Sequence, residues 1–170
     1  MRVEPATSQD YRGIAAVHVA SWQQAYVGIV PSDHLAGLSL ASREAWWQEA
    51  LQKNTPEVLV ARHDGAVVGF VAHGACRDEG TPPSRGEIWA LYVLAPFWST
   101  GVGRALWLAA REQLRRQHFT SVSLWVLSQN ARGIRFYSAA GFVPEEASER
   151  EVTVGGTRLK EIRMVFEDGA

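Results

Sequence analysis

Two stretches of the chain combine residue types and spacings that could do chemistry. The first is Trp98-Ser99-Thr100-Gly101-Val102-Gly103-Arg104, between a strand-like run and a long helical one. Glycines at the mouth of a helix let the backbone approach a ligand without Cβ interference. The helix start adds unpaired N–H groups and the positive end of its dipole. Together these suit a phosphate or diphosphate. Taken alone, such glycines more often mark a tight strand-to-helix turn in which they serve geometry only. No Gly-Lys-Ser/Thr follows, so this is not a P-loop, and Leu106 replaces the third glycine of a dinucleotide fingerprint. The second stretch is Asn130 followed by Phe136-Tyr137-Ser138-Ala139-Ala140-Gly141-Phe142. A phenol such as Tyr137 can protonate a strongly basic leaving group. On residue type alone, Phe136 and Tyr137 are more often core aromatics.

These stretches need elements to hold them. Arg2 to Glu4 reads as a short strand ended by Pro5. Thr7 with Asp10 resembles a capping box for a helix carrying Ile14, Val17, Ser21, Trp22 and Ala25 on one stripe. Ser39 or Ser42 can cap a second helix through Trp46, Trp47, Ala50 and Leu51, closed by Pro56. Glu57 to Ala61 and Ala66 to Gly74 are β-rich and joined at His63-Asp64-Gly65, a hairpin signal. Arg77 to Gly86 reads as a loop, and Glu87 to Leu94 as a central strand apolar on both faces. Gly101 to Phe119 is a long helix, Ser121 to Leu127 a strand, and Ala131 to Ala140 a short helix ended by Gly141. The crossover through the long helix predicts that the strands it joins are parallel. The end is a hairpin: a Gly155-Gly156 turn sets Val152 opposite Leu159, Glu151 opposite Lys160 and Arg150 opposite Glu161. The expected fold is therefore α/β (α+β mixed), a central twisted mixed sheet of about six to seven strands flanked by four helices.

Composition removes several function classes. The 170 residues are 46% hydrophobic and 21% charged, enough for one core, and length favours a single domain over 1–170. A net charge of -1 argues against non-specific nucleic-acid binding. No apolar run approaches a membrane span, and the N-terminus lacks a secretory signal pattern. A lone cysteine, Cys76, forms no internal disulfide and makes a reducing, cytoplasmic setting the expectation. It reads as a small apolar filler rather than a nucleophile. Only His73 and Cys76 lie at ligand-like spacing, so no metal is expected. Arg111, Arg115 and Arg116 read as a solvated helix face, with contact to an adenosine 3′-phosphate as the alternative.

Taken together, Glu87 to Val93, Pro96 to Leu106 and Asn130 to Phe142 resemble the GNAT family of acyl-CoA-dependent N-acetyltransferases, and the element order matches along the chain. The resemblance implies that Leu91, Tyr92 and Val93 present backbone groups to the pantetheine arm of acetyl-CoA, the cosubstrate, where the strands holding Leu91 and Val122 splay apart. It implies that Ser99, Thr100, Gly101, Val102, Gly103 and Arg104 cradle the diphosphate and that Asn130 contacts the cofactor arm. Tyr137 would protonate the departing thiolate, and Glu87 matches the strand glutamate that in some members works as a general base through water; by its place beside a loop it also reads as a solvated strand end. Trp98 departs from the family pattern, which places Arg or Gln there, and Arg104 is the candidate substitute for the lost charge. The acceptor would be a primary amine of a small molecule or peptide, bound near Trp22 and Tyr26, and a homodimer is common among relatives.

Glu145, Glu146, Glu149 and Glu151 read as a solvated acidic loop or as a rim favouring a cationic amine. Of the seven tryptophans, Trp89, Trp107 and Trp125 are expected to pack the scaffold, and Trp22, Trp46 and Trp47 to lie where an acceptor is recognised. Competing functions are a non-catalytic acyl-CoA sensor and a transferase of longer acyl groups.

Overall fold

The computed structural model describes residues 1–169. The strands are β1 (Arg2–Pro5), β2 (Glu57–His63), β3 (Ala66–Ala75), β4 (Arg85–Val93), β5 (Ser121–Leu127), β6 (Val143–Pro144), β7 (Arg150–Val154) and β8 (Thr157–Glu167). The helices are α1 (Tyr11–Ala25), α2 (Ser32–Ala36), α3 (Leu40–Lys53), α4 (Val102–Arg116) and α5 (Ala131–Ala139), with a 3-10 turn at Ala95–Phe97. All eight strands form one mixed sheet in the order β1-β2-β3-β4-β5-β8-β6, with β7 paired to β8. The architecture is the expected mixed α/β one. The short α2 and the two-residue β6 exceed the expected counts of helices and strands, because both are too brief to show a period in sequence.

Local signals explain most boundaries. Ser39 caps α3, its hydroxyl accepting from the Ser42 N–H at 3.1 Å. At α1, Asp10 accepts from the Thr7 N–H at 2.7 Å, half of a capping box; its other oxygen accepts from Arg62 on β2, fixing the helix start to the sheet. Gly141 has φ 96, the left-handed conformation expected just past α5. Gly155 and Gly156 are both left-handed, and the final hairpin has the expected register, Val152↔Leu159, Glu151↔Lys160 and Arg150↔Glu161. Two of its charges pair diagonally, Glu151 with Arg158 and Lys160 with Glu149.

The sheet is covered on both faces. One layer is α4, whose Val102, Leu106, Ala110 and Leu114 pack on Leu59, Val71, Ile88, Val122 and Leu124. The other is α1 and α3, whose Ile14, Val17, Trp47 and Ala50 pack on Val58, Val60, Phe70 and Ala72. A third cluster, Val30, Leu35, Leu127 and Leu159, ties the chain after α1 to the final hairpin. No helix among the described residues is long and apolar enough to cross a membrane.

Candidate active site

The site forms because two neighbouring strands part. β4 and β5 are parallel, as expected, but they pair only over Arg85–Glu87 with Ser121–Ser123. The register of β4 against β3 shifts beside Trp89: Ile88 faces His73 and Ala90 faces Ala72. A bulge of this kind bends its strand and breaks the alternation of faces. Trp89 and Ala90 both turn to the α1 side, while Ile88 and Leu91 turn to α4. Past Glu87 the two strands no longer pair, and a cavity of ≈ 740 Å³ opens between them. Val122 lies inside the paired stretch, so the splay begins after Ser123 rather than at Val122.

One end of the cavity is the α4 entrance. Ser99 and Gly101 are left-handed, with φ 61 and 93. The first helical bond runs from the Ala105 N–H to the Gly101 carbonyl at 2.9 Å, so the N–H groups from Ser99 to Arg104 have no backbone acceptor among the described residues. Ser99, Gly101, Gly103 and Arg104 line the cavity. Thr100 and Val102 do not: the Thr100 hydroxyl donates to the Phe97 carbonyl at 2.7 Å, and the Val102 side chain is in the core. Gly103 has a packing reason too, since a Cβ there would sit 3.1 Å from the Phe136 ring of α5.

Trp98 does more than break a pattern. Its indole N–H donates to the Val93 carbonyl at 2.7 Å, holding the end of β4. The Arg132 guanidinium lies 3.2 Å from its ring centroid, a close cation–π contact. Arg104, Arg132 and Arg135 all line this end, and none of them pairs with a carboxylate among the described residues. Burial, with Arg135 nearby, lowers the Arg132 pKa. Arg132 and Arg135 carry no signal of this role in the linear chain, where nothing says that the start of α5 stands beside the start of α4.

Asn130 lines the cavity while its side-chain oxygen caps α5, accepting from the Gly133 N–H at 3.0 Å. Tyr137 lines the middle, its ring edge-on to Phe136 and Phe142. Burial, and then the nearby Tyr92 phenol, push its hydroxyl well above the ordinary tyrosine range, so it is protonated at neutral pH.

The other end is aromatic. The Trp22 indole N–H donates to the Tyr92 hydroxyl at 3.0 Å, and the Tyr26 hydroxyl lies 3.4 Å from the same oxygen. Burial first, then Tyr92, Tyr137 and Glu161, raise the Tyr26 phenol. Leu91, Tyr92 and Val93 line the cavity; the Tyr92 side chain faces the α1 half, stacked on His18. Trp89 and Trp125 also line the cavity, so of the expected scaffold trio only Trp107 is buried scaffold. The bulge turns Trp89, and strand alternation sets Trp125 opposite Leu124 and Val126. Arg77 covers the Trp89 ring at 4.2 Å and Arg150 the Trp125 ring at 3.8 Å. Trp47 is core, donating to His18 at 3.1 Å, and Trp46 is exposed; neither reaches the cavity.

Glu87 is buried and its carboxylate is held by Arg77. Oε2 accepts from the Arg77 backbone N–H at 2.9 Å, and both oxygens accept from its guanidinium. The acidic rim does not form: Glu145 pairs with Arg85 and Arg163, Glu149 with Lys160 and Glu151 with Arg158, all outside the cavity. Arg111 pairs with Asp168, and Arg115 and Arg116 with Glu112, on the outer surface. Among the described residues, no three His, Cys, Asp or Glu side chains gather as metal ligands.

Residues 18–142 match the acetyltransferase (GNAT) family. The chain is 36% identical over 167 residues to the uncharacterized N-acetyltransferase YuaI of Bacillus subtilis (strain 168), covering 98% of this chain and 92% of that one. It is 36% identical over 91 residues to the mycothiol acetyltransferase of Frankia casuarinae, covering 50% of this chain and 26% of that protein. The fold is similar to that of the PaiA N-acetyltransferase from Thermoplasma acidophilum in complex with coenzyme A, with TM-score 0.75, 20% identity, and 98% and 99% of the two chains covered. It is also similar to yncA from Salmonella typhimurium with acetyl-CoA, with TM-score 0.75, 22% identity, and 100% and 95% covered. This chain belongs to the acetyltransferase (GNAT) family, a family of acetyl-transferring enzymes.

Proposed function

We propose that the chain transfers an acetyl group from acetyl-CoA to a primary amine by direct attack. The observation that carries this reading is the pairing of two chemically different cavity ends. One end offers free N–H groups and unpaired arginines, which suit a diphosphate. The other offers an aromatic chamber, and a protonated phenol stands between them. The inner edge of β4 from Ile88 to Tyr92, unpaired with β5, supplies backbone groups for an amide-bearing arm, while the Val93 carbonyl is taken by the Trp98 indole. Bound there, acetyl-CoA supplies a thioester carbonyl open to attack.

The residues then divide the work. Ser99, Gly101, Gly103 and Arg104 hold phosphates through the backbone, with Thr100 and Val102 contributing N–H groups only. Arg132 on Trp98 adds charge, and Asn130 borders the arm. A backbone N–H of the splayed β4 stabilises the oxyanion formed on attack. Tyr137 gives its proton to the sulfur as the carbon–sulfur bond breaks. The proton shed by the amine passes through water to Glu87, which requires Arg77 to yield one carboxylate oxygen.

The test is coenzyme A release from acetyl-CoA with mixed amines. Tyr137→Phe is expected to lower kcat about 10²- to 10⁴-fold, the usual scale of general-acid catalysis, while acetyl-CoA affinity stays near wild type. An unchanged kcat removes Tyr137 from the acid role. Tight acetyl-CoA binding without turnover on any amine favours a sensor instead.

A further inference from the structure

Charged side chains in the wall of the aromatic half are already paired. Arg77 is held by Glu87, and Arg150 by Glu161 with Asp78 nearby. Asp78 itself accepts from the Trp125 indole and from Arg163. One charge just outside the wall is not paired. Arg43, in the first turn of α3, places its guanidinium 5.9 Å from the Trp22 ring centroid, and no carboxylate pairs with it among the described residues.

Trp22 links this cation to the chamber. Its indole N–H donates to the Tyr92 hydroxyl at 3.0 Å, and its ring carries Arg43. The charge is felt inside as well. Burial raises the Tyr92 phenol, hydrogen bonds with Tyr26 and Trp22 lower it, and Arg43 lowers it further. Burial first, and then Arg43, also lower the His18 imidazole that stacks on Tyr92. Arg43 is half-buried, so it has lost part of its water without gaining an acceptor for its N–H groups. One planar cation suits one planar anion, a carboxylate held through two parallel N–H bonds. A second ammonium finds the reverse, since both wall carboxylates are occupied and Arg43 repels it.

Position sets the shape of the acceptor. Its nitrogen must reach the thioester beside Tyr137, whereas Arg43 lies at Trp22, outside the wall. Amine and carboxylate must therefore stand about the width of an indole apart, which an α-amino acid, carrying both on one carbon, does not provide. The anchor and the reacting nitrogen are different groups, so the nitrogen is free to lose its proton. Resting on the acetyl-transfer reading, we propose that the acceptor is a primary amine with a carboxylate at the far end of an aryl or alkyl body. Arg43 receives the carboxylate, and Trp22 and Tyr26 flank the body.

The test measures kcat/KM at saturating acetyl-CoA with 4-(2-aminoethyl)benzoate, 4-(2-aminoethyl)benzamide, 6-aminohexanoate, n-hexylamine and 1,6-diaminohexane. Each carboxylate should exceed its neutral counterpart by about tenfold, the effect of one charged hydrogen-bonded contact at a half-exposed site. The diamine should fall below hexylamine. The benzamide is the sharpest comparison, because it keeps the shape of the benzoate and loses only the charge. In Arg43→Gln the benzoate-to-benzamide ratio should collapse to about one, with acetyl-CoA affinity near wild type. Equal use of benzoate and benzamide by the wild type overturns the substrate class while leaving acetyl transfer standing, and this comparison needs no variant. A ratio that survives in Arg43→Gln overturns the role of Arg43. Failure with every amine removes the acetyl-transfer reading and this inference with it.

Discussion

Replacing Arg132 with glutamine tests how this chain binds phosphates with Trp98 where the family resemblance leads one to expect Arg or Gln. Arg132 lies 3.2 Å from the Trp98 ring centroid and has no acidic partner among the described residues. A hydrogen bond to a charged group contributes about 1.5–3 kcal/mol. Arg132 is half-buried and shares the site with Arg104 and Arg135, so the lower end applies. About 1.5 kcal/mol is roughly a tenfold loss of affinity. Calorimetry with coenzyme A should show that loss for Arg132→Gln, shrinking as salt is raised. Pantetheine, which has no diphosphate, should bind wild type and variant alike. Trp98→Ala removes the platform, worth about 0.5–1 kcal/mol where partly exposed, or roughly a two- to fivefold loss. Trp98→Phe keeps a ring face while deleting the bond to Val93, and separates the two roles of the indole. Because the residues act together, the double variant Trp98→Ala/Arg132→Gln should bind within about twofold of Arg132→Gln alone. Coenzyme A affinity unchanged in Arg132→Gln, or an equal loss with pantetheine, would refute the assignment.

Two further predictions concern stability. Burial, and then Arg43, hold the His18 imidazole at about 4 rather than the ordinary 6.5. Between those values the unfolded chain takes up a proton that the folded chain refuses, so stability falls as pH falls from 6.5 to 4 and is level in this term above 6.5. The full effect is at most about 3 kcal/mol at pH 4; His18→Gln should flatten the slope of melting temperature against pH in that window, and an unchanged slope would exclude His18. Gly155 is left-handed, and a Cβ there would lie 2.6 Å from the His34 Cβ on α2. Gly156 is left-handed with open space around it. Gly155→Ala should therefore lower the melting temperature several degrees more than Gly156→Ala, which carries only the left-handed cost of about 1–2 kcal/mol; equal melting points would show that the hairpin tip does not press on α2.

Local chemistry and residue period are legible in the linear chain. The final hairpin register followed from two glycines and three residue pairs. The parallel β4–β5 pair followed from the crossover, and the α4 entrance from glycines that open a helix. The likeness of Glu87–Val93, Pro96–Leu106 and Asn130–Phe142 to one family located most of the cavity wall. Which side chains from distant segments share that cavity follows only from how those segments pack in space. Glu87 reads from its place in the chain as a solvated strand end, yet it is buried, and Arg77, ten residues earlier, closes around it once the β3–β4 connection folds back. Trp89 reads as scaffold because a bulge leaves no clear periodic mark, and that bulge turns its ring toward the cavity; alternation already sets Trp125 opposite Leu124 and Val126, and the splay of β4 from β5 is what opens a cavity on its side. Arg132 came to Trp98, and Glu161 to Tyr26, only through the packing of α5 against α4 and of β8 against β5. Period and capping are properties of neighbours in the chain; charge complementarity across a cavity is a property of neighbours in space.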